Sequence, residues 1–263
     1  MLVQMTRPGF LVITAVACVL GTAVAAACGH GPNVWTALAT LVLAVLMHAA
    51  ANVLNDYHDA LNGADDANTQ GLFPFTGGGL VLLGWVGLLL GWAYSAPPLV
   101  LMKRGLGEAT VALTWGLVVV GADYVQRKHF FVIPAAVAVS FALLVGNILV
   151  INGFPDAMAD AQVGKRTLVV RLGTRHATWL YLVVALLAHA WLLEGVWLFI
   201  HPEPALWGLA SLPLSLVAFV LLRKHVDQPA SLGPAIVLTI AAAVLHGLAM
   251  SVGLISLSLF GSL

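Results

Sequence analysis

Long apolar segments recur along the whole chain, and they constrain its fold more than any other feature. The apolar runs comprise residues 10–28, 34–54, 80–94, 106–122, 130–154, 177–200, 205–222 and 232–259. About 20 consecutive apolar residues suffice to cross a bilayer as a helix, and a backbone in lipid must satisfy its own hydrogen bonds. We therefore predict an all-α integral membrane helical bundle of about eight transmembrane helices, folded as a single domain over residues 1–263.

Composition supports this class and narrows the partners. Hydrophobic residues make up 61% of the chain and charged residues 8%, and the formal net charge is zero. Without net positive charge or a basic tail, the chain lacks the field that attracts nucleic acid, so the expected partner is the lipid bilayer. The first apolar run could be a cleaved signal peptide. Because the later runs are equally apolar, we expect it to be retained as the first helix.

Acidic residues are rare, and most of them cluster in two short stretches. Of 11 Asp and Glu residues, six are Asp56, Asp59, Asp65 and Asp66 in NVLNDYHDALNGADD and Asp156 and Asp160 in NGFPDAMAD. If the preceding apolar run continues as a helix, Asn52, Asp56 and Asp59 share one face. The second stretch repeats this arrangement from Asn152 onwards. Ionised carboxylates this close repel one another unless a cation lies between them, so both stripes predict a divalent-cation site.

Basic residues mark the loops that should face the cytoplasm. They are Arg7, Lys103, Arg104, four cations between residues 163 and 176, Arg223 and Lys224. Arg127 and Lys128 disagree with this pattern, because they fall in a loop on the predicted outer side, although Asp123 partly offsets them.

The basic loops conflict with the number of apolar runs. They require both acidic stretches and Lys103 on one membrane face, and therefore an even number of crossings between Asp59 and Lys103. Residues 71–95 have room for only one crossing, because two need roughly 40 residues. We therefore predict that this segment forms a partial, re-entrant or displaced helix lining a cavity, beside a gap where another helix would pack.

Three motifs, in this order, resemble those of one family of membrane enzymes. They are NDYHD at 55–59, YSAPP at 94–98 and NGFPDAMADAQVGKRTLVVRLG at 152–173. They are similar to the UbiA superfamily of intramembrane aromatic prenyltransferases, and most similar to its 1,4-dihydroxy-2-naphthoate polyprenyltransferase branch. The resemblance implies nine helices, with both acidic motifs at cytoplasmic helix ends and Mg²⁺ between them. This sequence joins FPFTGG almost directly to the helix that ends in YSAPP, so it lacks one helix of the usual nine.

The resemblance also implies a role for each polar residue of the motifs. Magnesium prefers oxygen ligands and shares them with substrate phosphates, and the expected ligands are Asp56, Asp59, Asp156 and Asp160, with Asp65 as a weaker candidate. The expected substrate-binding residues are Asn55, Asn152, Lys103, Lys165, Arg171 and Tyr94. The cations would neutralise the leaving pyrophosphate, and the rings of Tyr57 and Tyr94 would face the allylic cation.

These motifs predict a Mg²⁺-dependent enzyme that transfers a polyprenyl chain from polyprenyl diphosphate to an aromatic acceptor. The expected acceptor is 1,4-dihydroxy-2-naphthoate of menaquinone synthesis, and 4-hydroxybenzoate is the alternative. Two other classes stay open, namely a divalent-cation transporter and an inactive relative that has lost a helix. The expected location is the inner membrane of a bacterium, with the active site facing the cytoplasm.

Overall fold

The computed structural model describes residues 8–61 and 78–260, with side chains for 10–51, 79 and 82–259. The helices are α1 (Pro8–Ala27), α2 (Val34–Leu61), α3 (Gly78–Ser95), α4 (Gly107–Arg127), α5 (Val132–Gln162), α6 (Leu168–Leu172), α7 (Thr174–Trp197), α8 (Leu212–Lys224) and α9 (Gly233–Phe260). Short 3₁₀ helices cover Leu101–Lys103, Glu203–Ser211 and Pro229–Ser231. Within these described ranges the structure contains no strand.

The long helices confirm the predicted all-α membrane bundle. Seven segments of the described chain are long and apolar enough to cross a bilayer, namely α1, α2, α4, α5, α7, the continuous segment Glu203–Lys224, and α9. Helix α3 is an eighth apolar helix and is shorter over its described side chains, Leu82–Ser95. Each predicted apolar run therefore corresponds to one helix or continuous helical segment.

Small residues allow the central helices to approach closely. A Cβ at Gly21 of α1 would collide with the carbonyl oxygen of Val119 in α4, and one at Gly247 of α9 would collide with Val16 of α1. Because lipid supplies no hydrophobic force between helices, such close backbone packing is a main source of stability in a membrane bundle. The core accordingly lies among α1, α4, α5, α7 and α9.

A polar chain joins the helices of the second half of the bundle. His246 of α9 places Nε2 3.1 Å from Ser140 Oγ on α5 and Nδ1 3.0 Å from Ser211 Oγ. The same Ser211 Oγ lies 2.9 Å from His189 Nε2 on α7. All four side chains are buried, so these hydrogen bonds link the helices where no water competes.

Helix α2 lies along α1 and α4 and is poorly covered. The backbone N–H of Asn33 donates to Gln126 Oε1 near the end of α4, at 2.9 Å. Further along α2, the His48 ring lies 5.0 Å from the Trp115 ring of α4 and its Nδ1 lies 2.7 Å from Thr14 Oγ1 of α1. Helix α2 therefore runs antiparallel to α4. None of the residues in Val34–Ala51 is buried.

Helix α3 is continuous and also runs antiparallel to α4. Its first turn lies beside the end of α4, where the backbone N–H of Gly79 donates to the Tyr124 hydroxyl at 3.2 Å. Its last turn lies beside the start of α4, where the Tyr94 ring packs against Gly107. Of the expected alternatives, a re-entrant helix is therefore wrong for residues 78–95, because one continuous helix follows α4 from end to end. A partial helix agrees with α3 being shorter, over its described side chains, than the seven spanning segments. Residues 71–77 lie outside the described part of the chain.

Arg127 and Lys128, the basic pair that conflicts with the positive-inside pattern, lie at the C-terminal end of α4, and one of them is neutralised there. Arg127 Nε donates to Asp123 Oδ2 at 2.9 Å, and both side chains are almost fully buried. The guanidinium also lies 4.0 Å from the centroid of the Phe131 ring. Only Lys128 of the pair is exposed, so this loop carries much less free positive charge than its sequence suggests.

Candidate active site

Both acidic stretches lie at the same end of the bundle. Helix α2 runs antiparallel to α4, because Asn33 lies beside Gln126 and His48 beside Trp115. Helix α5 does so too, because Ala142 lies beside Gly116 and the later Gly146 beside the earlier Ala112. Their C-terminal ends therefore lie beside the N-terminus of α4. We call this end of the bundle, with the C-termini of α2, α3 and α5, the motif end. Lys103 follows the C-terminus of α3 and therefore also lies at the motif end. The C-terminus of α2 and Lys103 thus lie at the same end of the bundle, which agrees with the even number of crossings that the charges require between Asp59 and Lys103.

The second acidic stretch forms the last two turns of α5. Asp156 is exposed, whereas Asp160, one turn later on the same face, is only 9% exposed. Asp160 Oδ1 lies 3.1 Å from Lys165 Nζ in the loop that follows the helix. Asn152 lies one turn before Asp156 and is half-buried. The predicted stripe of one amide and two carboxylates therefore forms, and one of its predicted cations is already paired with it.

The backbone ties the two basic segments of the motif end together. The N–H of Arg166 donates to the carbonyl of Lys103 at 2.9 Å. The Nε of Arg171 donates in turn to the carbonyl of Arg166 at 3.0 Å. Gly105 has φ +70° and passes so close to Arg171 that an added Cβ would lie 2.7 Å from Nε. These contacts hold the predicted substrate-binding cations Lys103, Lys165 and Arg171 in one surface region.

Glu108 is a buried residue of this region that sequence reasoning missed. It lies in the first turn of α4 and is 7% exposed. Its Oε1 accepts a hydrogen bond from the backbone N–H of Leu168 at 3.1 Å, at the start of α6. The carboxylate therefore connects α4 to the basic loop between Lys165 and Arg171. The signal was present in the sequence, because an acid beside an apolar run is rare in this chain and such residues are commonly functional.

The turn after α3 separates two neighbouring basic residues. Arg104 Nη2 donates to the carbonyl of Pro98 at 2.6 Å, so Arg104 caps the YSAPP turn. Lys103 is exposed. Tyr94, the predicted aromatic residue of the site, lies in the last turn of α3. Its ring is half-buried against Gly107, the first residue of α4. This arrangement favours Lys103 over Arg104 as a ligand for substrate.

The first acidic stretch is described only as backbone. Helix α2 continues through Leu61, which supports the predicted helical spacing of Asn52, Asp56 and Asp59. The side chains of this stretch, including those of Asn55 and Tyr57, lie outside the described residues. Asp65 and Asp66 lie entirely outside them. The first half of the proposed ligand set is therefore placed at the motif end by its helix and remains a prediction as a set of contacts.

The described half of the ligand set has the chemistry that a magnesium ion requires. Asp156 and Asp160 supply hard oxygen donors on one face of α5, and Asp160 pairs with Lys165 through Oδ1 at 3.1 Å. No group of three potential metal ligands occurs among the described side chains. A two-carboxylate set fits magnesium, because this ion is commonly held by one or two carboxylates together with water and substrate phosphate.

Comparison with known proteins gives a consistent result. Residues 70–235, more than half of the chain, match the model of the UbiA prenyltransferase family. The chain is 31% identical to 1,4-dihydroxy-2-naphthoate octaprenyltransferase of Mycobacterium leprae (strain TN) over 72% of this chain and 74% of that protein. It is 30% identical to the protein of the same description from Mycobacterium tuberculosis (strain ATCC 25618 / H37Rv) over 78% and 80%.

A solved structure is similar over almost the entire fold. It comes from work on the biosynthesis of digeranylgeranylglyceryl phosphate synthase in membranes, and the TM-score is 0.64 with 96% of this chain and 99% of that chain covered. The sequence identity is 13%, so this likeness concerns the arrangement of helices alone.

Proposed function

This chain belongs to the UbiA prenyltransferase family, and we propose that it transfers a polyprenyl chain from polyprenyl diphosphate to 1,4-dihydroxy-2-naphthoate. One structural observation carries the proposal. The helices that bear the two acidic stretches end together with the basic segments at one end of the bundle. A diphosphate bound there would meet carboxylates and cations at once. The acceptor is the one named for the mycobacterial relatives, 1,4-dihydroxy-2-naphthoate.

The protein's own residues would bind the diphosphate and favour its departure. Lys103 and Arg171 are exposed cations, held near each other by the backbone bonds of Arg166. They would neutralise the charge that grows on the pyrophosphate as the allylic carbon–oxygen bond breaks. Lys165 bridges Asp160 and the basic loop, so its ammonium group would orient the carboxylate as well as meet the phosphate.

Magnesium would be held between the two stretches by Asp156 and Asp160 of α5 and by Asp56 and Asp59 of α2, with Asp65 as a weaker candidate. When bound, the ion supplies positive charge that makes pyrophosphate a better leaving group. The amide groups of Asn55 and Asn152 would orient the carboxylates or contact a phosphate oxygen.

The apolar part of the site would shield the allylic cation until it reacts with the acceptor ring. After departure of pyrophosphate, the allylic cation must be kept from water, and an aromatic ring face stabilises a nearby cation. The half-buried ring of Tyr94 lies between the basic turn and the start of α4, where it could meet the first carbons of the prenyl chain. A carbon–carbon bond then forms to the acceptor ring, and with a carboxylated naphthoate the carboxylate leaves as carbon dioxide.

The proposed location follows from the same charges. The exposed basic loops lie at the motif end, and at the opposite end Arg127 is paired with Asp123. By the positive-inside rule the motif end faces the cytoplasm. We infer that the protein resides in a bacterial inner membrane with its active site open to that side.

The acceptor can be tested directly. Membranes that contain the protein, a polyprenyl diphosphate and magnesium should convert 1,4-dihydroxy-2-naphthoate to a prenylated product, with release of pyrophosphate and carbon dioxide. The matched arm replaces this acceptor by 4-hydroxybenzoate. A preference for 4-hydroxybenzoate would overturn the acceptor and leave the reaction class standing, whereas no product with any acceptor in correctly folded protein would favour an inactive relative.

The acidic stretches could in principle serve ion transport instead. An ion path needs ligands along the depth of the membrane. Asp156 and Asp160 instead occupy the final turns of α5 beside basic residues, so the placement favours a phosphate site over a transport path.

A further inference from the structure

A basic pocket opens at the motif end, where the first turns of α7 meet the last turns of α8. It has a volume of about 340 Å³. Its lining residues are Arg175, Thr178, Trp179, Arg223, Val226 and Asp227. None of them is a residue of the acidic stretches or one of the expected substrate-binding residues, although Arg175 follows Arg171 in the same basic segment. The proposed reaction therefore assigns no role to the residues of this pocket.

The charges of this pocket favour an anion. Arg175 lies 3.4 Å from Asp227, but their side chains are 79% and 68% exposed, and an exposed ion pair contributes little stability. Arg223 forms no ion pair within the described part of the chain, and its guanidinium lies 5.0 Å from the centroid of the Trp179 ring. Arg223 is therefore held in place by an aromatic ring, and Arg175 is engaged only in a weak, exposed ion pair. Both guanidinium groups can bind an anion.

The floor of the pocket is fixed by buried neighbours. Thr178 is buried and its hydroxyl donates to the carbonyl of Arg175 at 2.8 Å. The Trp179 ring lies 5.5 Å from the ring of Phe219 on α8. The pocket thus lies across the contact between α7 and α8. Arg175 and Arg223 are positioned by the backbones of these two packed helices.

An apolar surface continues from the pocket along both helices. Trp179, Val183 and Leu186 follow one another on one face of α7 and are 49%, 50% and 44% exposed. On α8, Val220 and Leu216 continue from Arg223 at helical spacing and are 59% and 39% exposed. Tryptophan is typical of the boundary between headgroups and hydrocarbon. A free phosphate ion would use none of this surface, whereas a phospholipid would use all of it.

We propose that this pocket binds the phosphate headgroup of an anionic phospholipid, with the acyl chains against the apolar faces of α7 and α8. Basic pockets between transmembrane helices are suited to such headgroups, and the volume of the pocket accepts a headgroup but not a whole lipid. The bound lipid would bridge α7 and α8 at the membrane surface.

The test uses the full chain purified in a neutral detergent. Native mass spectrometry measures the retention of phosphatidylglycerol against phosphatidylcholine with the same acyl chains. Wild-type protein should retain phosphatidylglycerol preferentially. Arg175→Gln and Arg223→Gln should each weaken its binding about fivefold, and the double variant about thirtyfold. Lys224→Gln is the matched control, because it removes an exposed charge next to Arg223 that does not line the pocket.

Further arms separate the possible sources of phosphate. Retention should be unchanged in Asp156→Ala, whose substitution lies in the candidate active site, and millimolar inorganic phosphate should not displace the lipid. Equal retention of both lipids, or an equal effect of Lys224→Gln, would overturn the proposal. Displacement by inorganic phosphate would also overturn it and would assign the pocket to a free anion.

Discussion

Helices α5 and α2 carry the same spacing of amide and acidic residues but are supported very differently. Sixteen of the 31 residues of α5 are buried, whereas no residue of the α2 segment Val34–Ala51 is buried. Within the described part of the chain, α5 packs on α1, α4, α7 and α9, and the main contacts of α2 are with α1 and α4. The same spacing of metal-binding side chains can therefore occur on two helices of one chain that differ greatly in how tightly they are packed. The half of the site on α2 depends on fewer neighbours.

The less covered region continues into α3. Added Cβ atoms at Gly84, Gly87 and Gly91 would meet no described atom within 4 Å, whereas those at Gly21 and Gly247 would collide with neighbouring helices. The family resemblance implies a further helix between the glycine-rich segment FPFTGG and the helix that ends in YSAPP, which is α3. A gap beside α3, where that helix would pack, stays a prediction.

The largest expected effect tests whether the acidic stretches of α2 and α5 form one site although the two helices are packed so differently. Asp156→Ala and Asp56→Ala should each lower kcat/KM by about a thousandfold or more, because each removes several kcal/mol of transition-state stabilisation. The double variant should lose little more than either single variant, since residues that act as a unit are not additive. Assays of all three variants at equal amounts of folded protein make the comparison.

Asp66→Ala serves as the control and should be almost silent, because this acid is not among the expected metal ligands. Losses that add independently would indicate two separate sites and would contradict a shared metal and diphosphate.

A smaller effect is expected from Glu108, which supports the basic loop rather than the metal. Glu108→Ala should lower kcat/KM about tenfold to a hundredfold, because the backbone N–H of Leu168 would lose its buried acceptor, at a cost of about 1–3 kcal/mol. Glu108→Gln keeps an acceptor oxygen and should retain most of the activity. The effect should appear mainly as a raised KM for the polyprenyl diphosphate.

Exposed Glu203, the first residue of the 3₁₀ helix Glu203–Ser211 at the opposite end, gives the matched control, and Glu203→Ala should leave KM unchanged. If Glu108→Gln were as damaging as Glu108→Ala, the charge rather than the hydrogen bond would matter, and the positioning role would be wrong.

The smallest effect compares packing in the two regions. Gly21→Ala should lower the thermal unfolding temperature, because its Cβ meets the Val119 carbonyl oxygen and overpacking costs about 1–3 kcal/mol. Gly87→Ala faces open space and should be neutral or raise stability by up to about 1 kcal/mol through helix propensity. Thermal unfolding in the same detergent compares the two variants. Equal destabilisation would mean that α3 is covered in the membrane as tightly as α1.

Sequence reasoning predicted the helices well and the contacts between them only in part. Apolar length alone located every span, because the bilayer fixes how long a helix must be. The burial of Glu108 and the pairing of Arg127 with Asp123 could not be read in this way, because both depend on which helix faces lie together. The charge count correctly required Lys103 at the motif end. Of the three alternatives for α3, partial, re-entrant or displaced, the re-entrant one is wrong, because the sequence shows how many residues are available but not at which end of the bundle a helix begins.

The most direct test of the account is the sidedness of the two acidic helices. Single cysteines are introduced at Asn62, Leu106 and Gln162, after α2, before α4 and at the end of α5, in a chain that lacks Cys18 and Cys28. His129, between α4 and α5, provides the reference for the opposite face. A membrane-impermeant thiol reagent should label the first three positions from one side of sealed vesicles and His129 from the other. Labelling of positions 62 and 162 from opposite sides would contradict a shared diphosphate site.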